Sequence, residues 1–440
     1  MYWKALSIKE INKKINKALR NNLQYDSHRI MGFPGSFLDR KIFPKEKIPH
    51  TSAYWLALWD NPNHIGCHTL GYSTPEFKGT QQIEKDFLRI CAEKILCANK
   101  GSWDGYVATG GTEANIQAMW IFRNRWINDQ IGAQDARGEM FRKYMLKHMN
   151  EIQVLCSEDT HYSIYKGANI LNIQLERIPV DKTTRQMNLH YLSQYIDRAR
   201  KASVKKFLVV LNMGSTHFGS VDDIAPIAHI LDNKEVAYDY HVDAAFGGFI
   251  YPFTNPNNKL TFQNNKIVSF TMDAHKLLQA PYGTGIFLTR KESINTVQTK
   301  VASYIPGHDC TVCGSRSGAN AISVWMILMA YGSKGGTEFC NRLLQLTDVL
   351  CSQLDALNIR YFREPYMNIV AIDARNMPKR ISKKYHLVAD TYEKGKQPSW
   401  WKIVVMDHVD EKMIAGFVKD LKRSLKLKSR TKVSGEGKKG

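Results

Sequence analysis

From Gly105 to Arg290 the chain repeats one pattern: a short, strongly apolar run, enough amphipathic sequence for a helix, then another apolar run. The apolar runs are GYVAT, IQVLCS, ILNIQLERIPV, KFLVVLNMG, AYDYHVDAAF, KIVSFTM and GTGIFLTR, and helices are predicted over 112–126, after His161 and near 222–231. A strand separated from the next by a helix joins the same sheet through a crossover, which makes the pair parallel and covers the sheet on both faces. The chain is therefore predicted to be α/β, with a large domain of about 250 residues on a mainly parallel sheet.

The pattern places that domain at 61–319. Beyond Ala319 a long helix, NAISVWMILMAYGSKGG, leads into shorter mixed elements ending in EKMIAGFVKDLKRSL, a small C-terminal α+β domain over 320–426. Residues 1–60 combine a Lys/Asn-rich amphipathic helix with HRIMGFPGSFLDRKIFPKEKIPH, whose prolines forbid long helices, and are expected to form an arm packed on another surface. In QQIEKDFLRICAEKILCANKG, Ile83, Phe87, Cys91 and Ile95 recur every four residues, one stripe of a helix ending near Gly101.

A formal charge of +20 raises the question of a nucleic-acid or membrane partner, and its distribution answers it. Residues 1–20 carry six Lys/Arg against one Glu and residues 421–440 eight against one, so over half of the excess sits at the two ends. The stretch 427–440 reads as a basic, disordered tail, and nucleic-acid binding through such ends is the lesser expectation. Eight cysteines include one CxxC, Cys310 and Cys313, with no second pair to complete a zinc site; buried or loop thiols in a reducing compartment are expected, and no metal. No run of about 18 apolar residues is present and the start is interrupted by charge every few residues, so a cytoplasmic protein without a membrane span is expected.

Four places carry chemistry. GYVATGGTEANIQAMW is a strand, a Gly110-Gly111 turn and a helix opening at Thr112. Free N–H groups at such a start can cradle a phosphate, although a plain tight turn has the same sequence. His161 follows a strand. Asp243 closes the apolar strand AYDYHVDAAF among small neighbours, where a carboxylate is costly unless a cation meets it. Lys276 follows KIVSFTM in DAHK, which in a parallel sheet brings it to the carboxyl-end crevice where α/β ligands bind. A desolvated lysine forms Schiff bases. A phosphate cradle, an aromatic for stacking, an Asp for a pyridinium nitrogen and a Schiff-base lysine together specify pyridoxal 5′-phosphate.

The segments GGTEAN, THYS with KGA, Gly214-Ser215-Thr216 with Gly219 to Asp223, HVDAAFGG and DAHK resemble the successive motifs of the group II pyridoxal-phosphate amino-acid decarboxylases, from about residue 30 to 425. MGFPGS, YIPGHDCTVCGSRSGANAISVW and the C-terminal segments are similar to short bacterial histidine and plant serine decarboxylases, whereas GGTEANIQA and HVDAAFGGF are closer to archaeal tyrosine/aspartate decarboxylases. Against the histidine enzymes, Ala114 stands in place of Gly and Asp273-Ala274 in place of Ser-Gly, which bears on the substrate.

The resemblance implies the type I aminotransferase-like fold, a homodimer with shared active sites, and decarboxylation of an L-amino acid to its amine, histidine first, then aromatic amino acids or aspartate/glutamate. It implies that Lys276 holds the cofactor, His161 stacks on the ring, Asp243 keeps the ring nitrogen protonated and Ala245 packs on the opposite face. Gly111, Thr112 and His275 would hold the phosphate, Asp273 would also bind the cofactor, and Thr216 would lie near the ring substituents. Tyr304 would be the general acid, with His308 the alternative, and Ser315 and Arg316 are expected to touch phosphate or substrate. A transaminase or another lyase on the same fold, and a basic non-catalytic binding protein, are the competing readings.

Overall fold

The computed structural model describes residues 2–25, 28–32, 37–47, 49, 51–60, 74–132, 138–299 and 308–433, the side chains of 427–433 excepted. Its seven-stranded sheet consists of β1 (Trp103–Ala108), β2 (Ile152–Ser157), β3 (Gln174–Ile178), β4 (Lys206–Asn212), β5 (Ala237–Ala244), β6 (Ile267–Asp273) and β7 (Gly285–Arg290), in the order β1-β7-β6-β5-β4-β2-β3. Each predicted run holds a strand. The β3, β2, β4, β5 and β6 pairs are parallel, and β7 runs antiparallel to both β6 and β1. The antiparallel strand follows from spacing: the connection from β6 to β7, residues 274–284, is shorter than the dozen or more residues a parallel crossover needs.

This order sets the carboxyl ends of the strands side by side. Asp243 pairs with Asn212 on one flank and Thr271 on the other. Ala108 and Asp273 both pair with Gly285, so the turn after β1 and the DAHK segment after β6 meet across one residue. That residue must lack a side chain, because a Cβ on Gly285 would lie 2.5 Å from Gly110 backbone atoms.

The expected helix over 81–101 is an α-helix, Lys78–Arg89, that widens into a π-turn over Ile90–Ile95, and its four stripe residues are all buried. The N-terminal arm packs on this same chain. Its helix Ile8–Arg20, opened by a Ser7/Glu10 capping box, buries Ile11, Ile15, Ala18 and Leu19. The long helix Gly318–Asp355 breaks at Gly332, where φ is 62°. Leu328 O is taken by Trp3 Nε1 at 2.8 Å and Met329 O by Leu6 N at 2.7 Å, so the arm pairs carbonyls beside the break.

A second, antiparallel sheet is ordered β10 (Val388–Ala389), β11 (Trp400–Val404), β9 (Ile369–Asp373), β8 (Tyr361–Phe362). It packs Val370 and Ile372 against Leu350 and Leu354 of the long helix and Ile414, Phe417 and Leu421 of the helix Glu411–Val433. The expected boundary at 319/320 falls within the first turn of the long helix. The tail expected to be disordered from 427 is helical as far as Val433. Among the described residues no helix is long and apolar enough to cross a membrane, no disulfide is formed, and no cluster of His, Cys, Asp or Glu could hold a metal.

Candidate active site

The turn after β1 opens the helix Gly111–Ile131 with no side-chain cap, so its first N–H groups stay available. Glu113 lies beneath, accepting Thr109 N at 2.6 Å and Oγ1 at 2.8 Å, while Tyr106 Oη donates to its other oxygen at 3.0 Å. Asp273 presses against the turn from β6; a Cβ on Gly111 would come 2.8 Å from its Oδ2, which is why glycine stands there.

Lys276 Nζ lies 3.1 Å from Asp273 Oδ2, and His275 Nε2 3.6 Å from the same oxygen. The lysine is about one third exposed and the carboxylate is buried, so the ammonium looks out over the crevice from an anchored base. The His275 ring also meets that of Tyr282, centroids 4.7 Å apart.

At the end of β5, Asp243 accepts Ala245 N at Oδ1, 3.1 Å, and Asn115 Nδ2 at Oδ2, 2.9 Å. Asn115 also reaches Ser163 Oγ at 2.8 Å, which is 2.8 Å from His161 Nδ1. Burial lowers the His161 pKa, partly offset by the Asp243 carboxylate and reinforced by the Lys276 ammonium. The ring is half-buried. Ala245 is buried beside Gly111.

Other expected residues stand differently. Arg316 is buried, bound to Glu84 and to Val107 O, with its guanidinium over the Tyr106 ring; it is committed to the core rather than to a phosphate or substrate. Ser315 and the Thr216 side chain are exposed. His308 is exposed and bonded to Gln298. Tyr304 lies outside the described residues.

Sequence reasoning missed Asn115, Ser163 and His241, which bond into the site from below, and Lys402. From β11, Lys402 brings its ammonium 3.0 Å from Thr216 O, and burial, then the charge of Lys276, lowers its pKa. The first three have a weak signal, polar residues within apolar or helical runs. Lys402 has none, since its partners lie more than a hundred residues away.

Fold and site together define a pyridoxal-phosphate enzyme of the type I aminotransferase-like fold. Residues 72–370 match the family model described as the pyridoxal-dependent decarboxylase conserved domain, and the chain belongs to that family. A tryptophan decarboxylase of Clostridium sporogenes is 42% identical over 424 residues, 96% of this chain and 97% of that protein. A Methanococcus aeolicus protein named "Probable L-tyrosine/L-aspartate decarboxylase" is 28% identical over 351 residues, 78% of this chain and 84% of its own. The solved structure of L-methionine decarboxylase from Streptomyces sp. 590 matches with a TM-score of 0.65 at 18% identity, over 82% of this chain and 86% of that one, a likeness of fold. The chain is accordingly a carboxy-lyase, a pyridoxal-phosphate-dependent amino-acid decarboxylase. The transaminase and non-catalytic readings give way to it.

The residues present fit the cofactor. Two buried atoms beside the Gly110-Gly111 turn, Asp273 Oδ1 and His275 Nδ1, have no hydrogen-bond partner among the described residues. Buried polar atoms are rarely left so without a function or a ligand. With the uncapped helix start and an amine nearby, His275 Nδ1, a donor in the matching tautomer, suits the phosphate of a phosphorylated aldehyde, while the accept-only Asp273 oxygen lies beside the Lys276 ammonium.

Proposed function

We propose that this enzyme removes the carboxylate of an aromatic L-amino acid, L-tryptophan first, and releases the primary amine. The 42% identity to a tryptophan decarboxylase supports an indole substrate, whereas histidine, the first expectation from sequence, has no support among the relatives compared. The observation that carries the site reading is the meeting of Lys276, 3.1 Å from Asp273, with the Gly110-Gly111 turn, beside an Asp243 that is bonded through Asn115 and Ser163 to His161.

In this reading Lys276 supplies the amine that attaches the cofactor. Gly111, Thr112 and His275 hold its phosphate, and Asp273 balances the lysine beside it. Asp243 would hold a proton on the ring nitrogen, and His161, Ala245 and Thr216 would help hold the ring. Pyridoxal phosphate, when bound, supplies a ring that takes up the electron pair left on Cα as CO₂ departs. Asp243, held by two donors, needs no reorganisation as that charge develops. Tyr304 is the proposed donor of the proton returned to Cα, on the family resemblance, with His308 the alternative.

A homodimer with shared sites belongs to the proposal, since Ser315 is exposed and its contact would be made in the neighbouring subunit's site. The absence of disulfides among the described cysteines is consistent with a reducing, cytoplasmic setting. The test is a screen of the proteinogenic amino acids with added pyridoxal phosphate, read by mass spectrometry. Tryptamine, formed one for one with CO₂, is the expected main product. A main product from histidine or aspartate would overturn the substrate, and keto acid without amine would overturn the reaction.

A further inference from the structure

Beneath Asp243 and His161 runs a hydrogen-bond chain whose residues lie inside the sequence motifs and apolar runs but received no role there. Ser269 Oγ lies 2.8 Å from His241 Nδ1, His241 Nε2 lies 2.9 Å from Asn115 Oδ1, and Asn115 Nδ2 reaches both Asp243 Oδ2 and Ser163 Oγ, at 2.9 and 2.8 Å. Ser269, His241, Asn115 and Ser163 are all buried, at 3%, 0%, 1% and 0% exposure, so water cannot substitute for any of these partners.

The direction of each proton follows from chemistry. Asn115 donates its amide nitrogen to Asp243 Oδ2 and to Ser163 Oγ, which turns its oxygen to His241 Nε2. His241 must then carry hydrogen on Nε2, and its Nδ1 accepts from the Ser269 hydroxyl. The second Asn115 N–H goes to Ser163 Oγ, leaving the Ser163 hydroxyl to donate to His161 Nδ1 at 2.8 Å. The Ser163 backbone N–H, a donor only, lies 3.3 Å from the same Nδ1, a longer and weaker contact of the same polarity that leaves the 2.8 Å hydroxyl as the group holding the tautomer. His161 therefore holds its proton on Nε2. Burial pushes the His241 pKa down to about 4, in keeping with a neutral ring that has one donor and one acceptor.

We propose that Asn115 and His241 are positioning residues: they aim the Asp243 carboxylate and, through Ser163, set the tautomer of His161. Both are reached by one row of donors that starts at Ser269, so two groups proposed to touch the cofactor are oriented by a single device. The inference rests on the reading of Asp243 and His161 given under Proposed function.

The test uses the full chain labelled with ¹⁵N-histidine, first without cofactor, with His161 and His241 assigned through His161→Gln and His241→Gln. Long-range ¹H–¹⁵N correlation is expected to show both rings protonated on Nε2 and bare on Nδ1. Asn115→Leu, close in volume but without hydrogen bonds, should give a mixture of tautomers at His161. Ser163→Ala should free His161 alone. With cofactor and substrate, Asn115→Leu should lower kcat about 100-fold while KM moves by less than about threefold. His241→Gln, which keeps an N–H donor toward Asn115, should recover most of the activity that His241→Phe loses.

A His161 protonated on Nδ1 in the parent would overturn the proposal, as would a pure Nε2–H tautomer persisting in Ser163→Ala and Asn115→Leu with kcat unchanged. If Asn115→Leu does not fold, Ser163→Ala and the two His241 variants supply the same readouts. Because the tautomers are read without cofactor, a failure of the cofactor reading shows separately, as no attachment at Lys276.

Discussion

The guanidinium of Arg316 closes on both oxygens of Glu84, 232 residues away in the chain, with the two side chains 2% and 5% exposed. The pair joins the helix Lys78–Arg89 to the segment that leads into the long helix, and Glu84 also accepts Val107 N from β1 at 2.8 Å. Arg316→Met would leave a buried carboxylate uncompensated and should cost about 3–5 kcal/mol in urea unfolding. Adding Glu84→Gln should recover much of the loss, since Gln still accepts from Val107. A stable Arg316→Met protein with weakened phosphate binding would return Arg316 to the role expected from sequence.

Lys276→Ala should leave the fold intact, because the lysine side chain is 35% exposed and Asp273 Oδ2 keeps His275 Nε2 as a neighbour at 3.6 Å. Borohydride treatment with pyridoxal phosphate is expected to fix label at position 276 of the parent and nowhere in the variant. Label retained elsewhere in the crevice would move the attachment point.

Acid should weaken the fold through His241. Its folded pKa is about 4 against an ordinary 6.5, so unfolding takes up a proton between those values. Stability present above pH 6.5 is lost as the pH falls toward 4, by up to about 1.4 kcal/mol per unit. His217, held by burial at about 4, adds to this slope, whereas Asp222, raised by burial to about 7, opposes it between 3.8 and 7. His241→Gln cancels only the first contribution. Its denaturation midpoints should fall less steeply than the parent's from pH 6.5 to 5, and equal slopes would mean that His241 is charged or wet in the fold.

Gly79→Ala tests the docking of the arm. A Cβ at this position would lie 1.8 Å from Ala18 O, which neither helix can avoid without moving apart. Limited proteolysis should cut between Ile8 and Arg20 at least tenfold faster in the variant, with Trp3 becoming exposed. Unchanged cleavage would mean that the two helices have room to separate without undocking.

Tyr304→Phe should slow amine formation by about 100-fold or more, as removal of a general acid does, without altering cofactor attachment. Normal turnover would pass that task to His308.

Much of the large sheet was legible because burial on both faces demands continuous apolar runs, and helix-length spacing leaves parallel pairing as the solution. Asp243 was singled out because a charged residue at the end of such a run is costly, and Lys276 because it follows a strand at the carboxyl edge where α/β ligands bind. Asn115 and His241 were harder to see, since a polar residue inside a helix or strand has no local sign of which distant partner satisfies it. Arg316 shows the converse error, because a turn of Gly, Ser and Arg looks the same whether the cation faces a ligand or a buried glutamate.

The order of apolar and amphipathic runs, by itself, determined the fold class and brought the loops after β1, β5 and β6 to one edge, because strand direction follows from connection length. Only the tertiary structure decided which polar groups meet there. Hydrogen-bond partners such as Asp243 and Asn115, 128 residues apart, are selected by distances of a fraction of an ångström that arise once the sheet and its covering helices have packed.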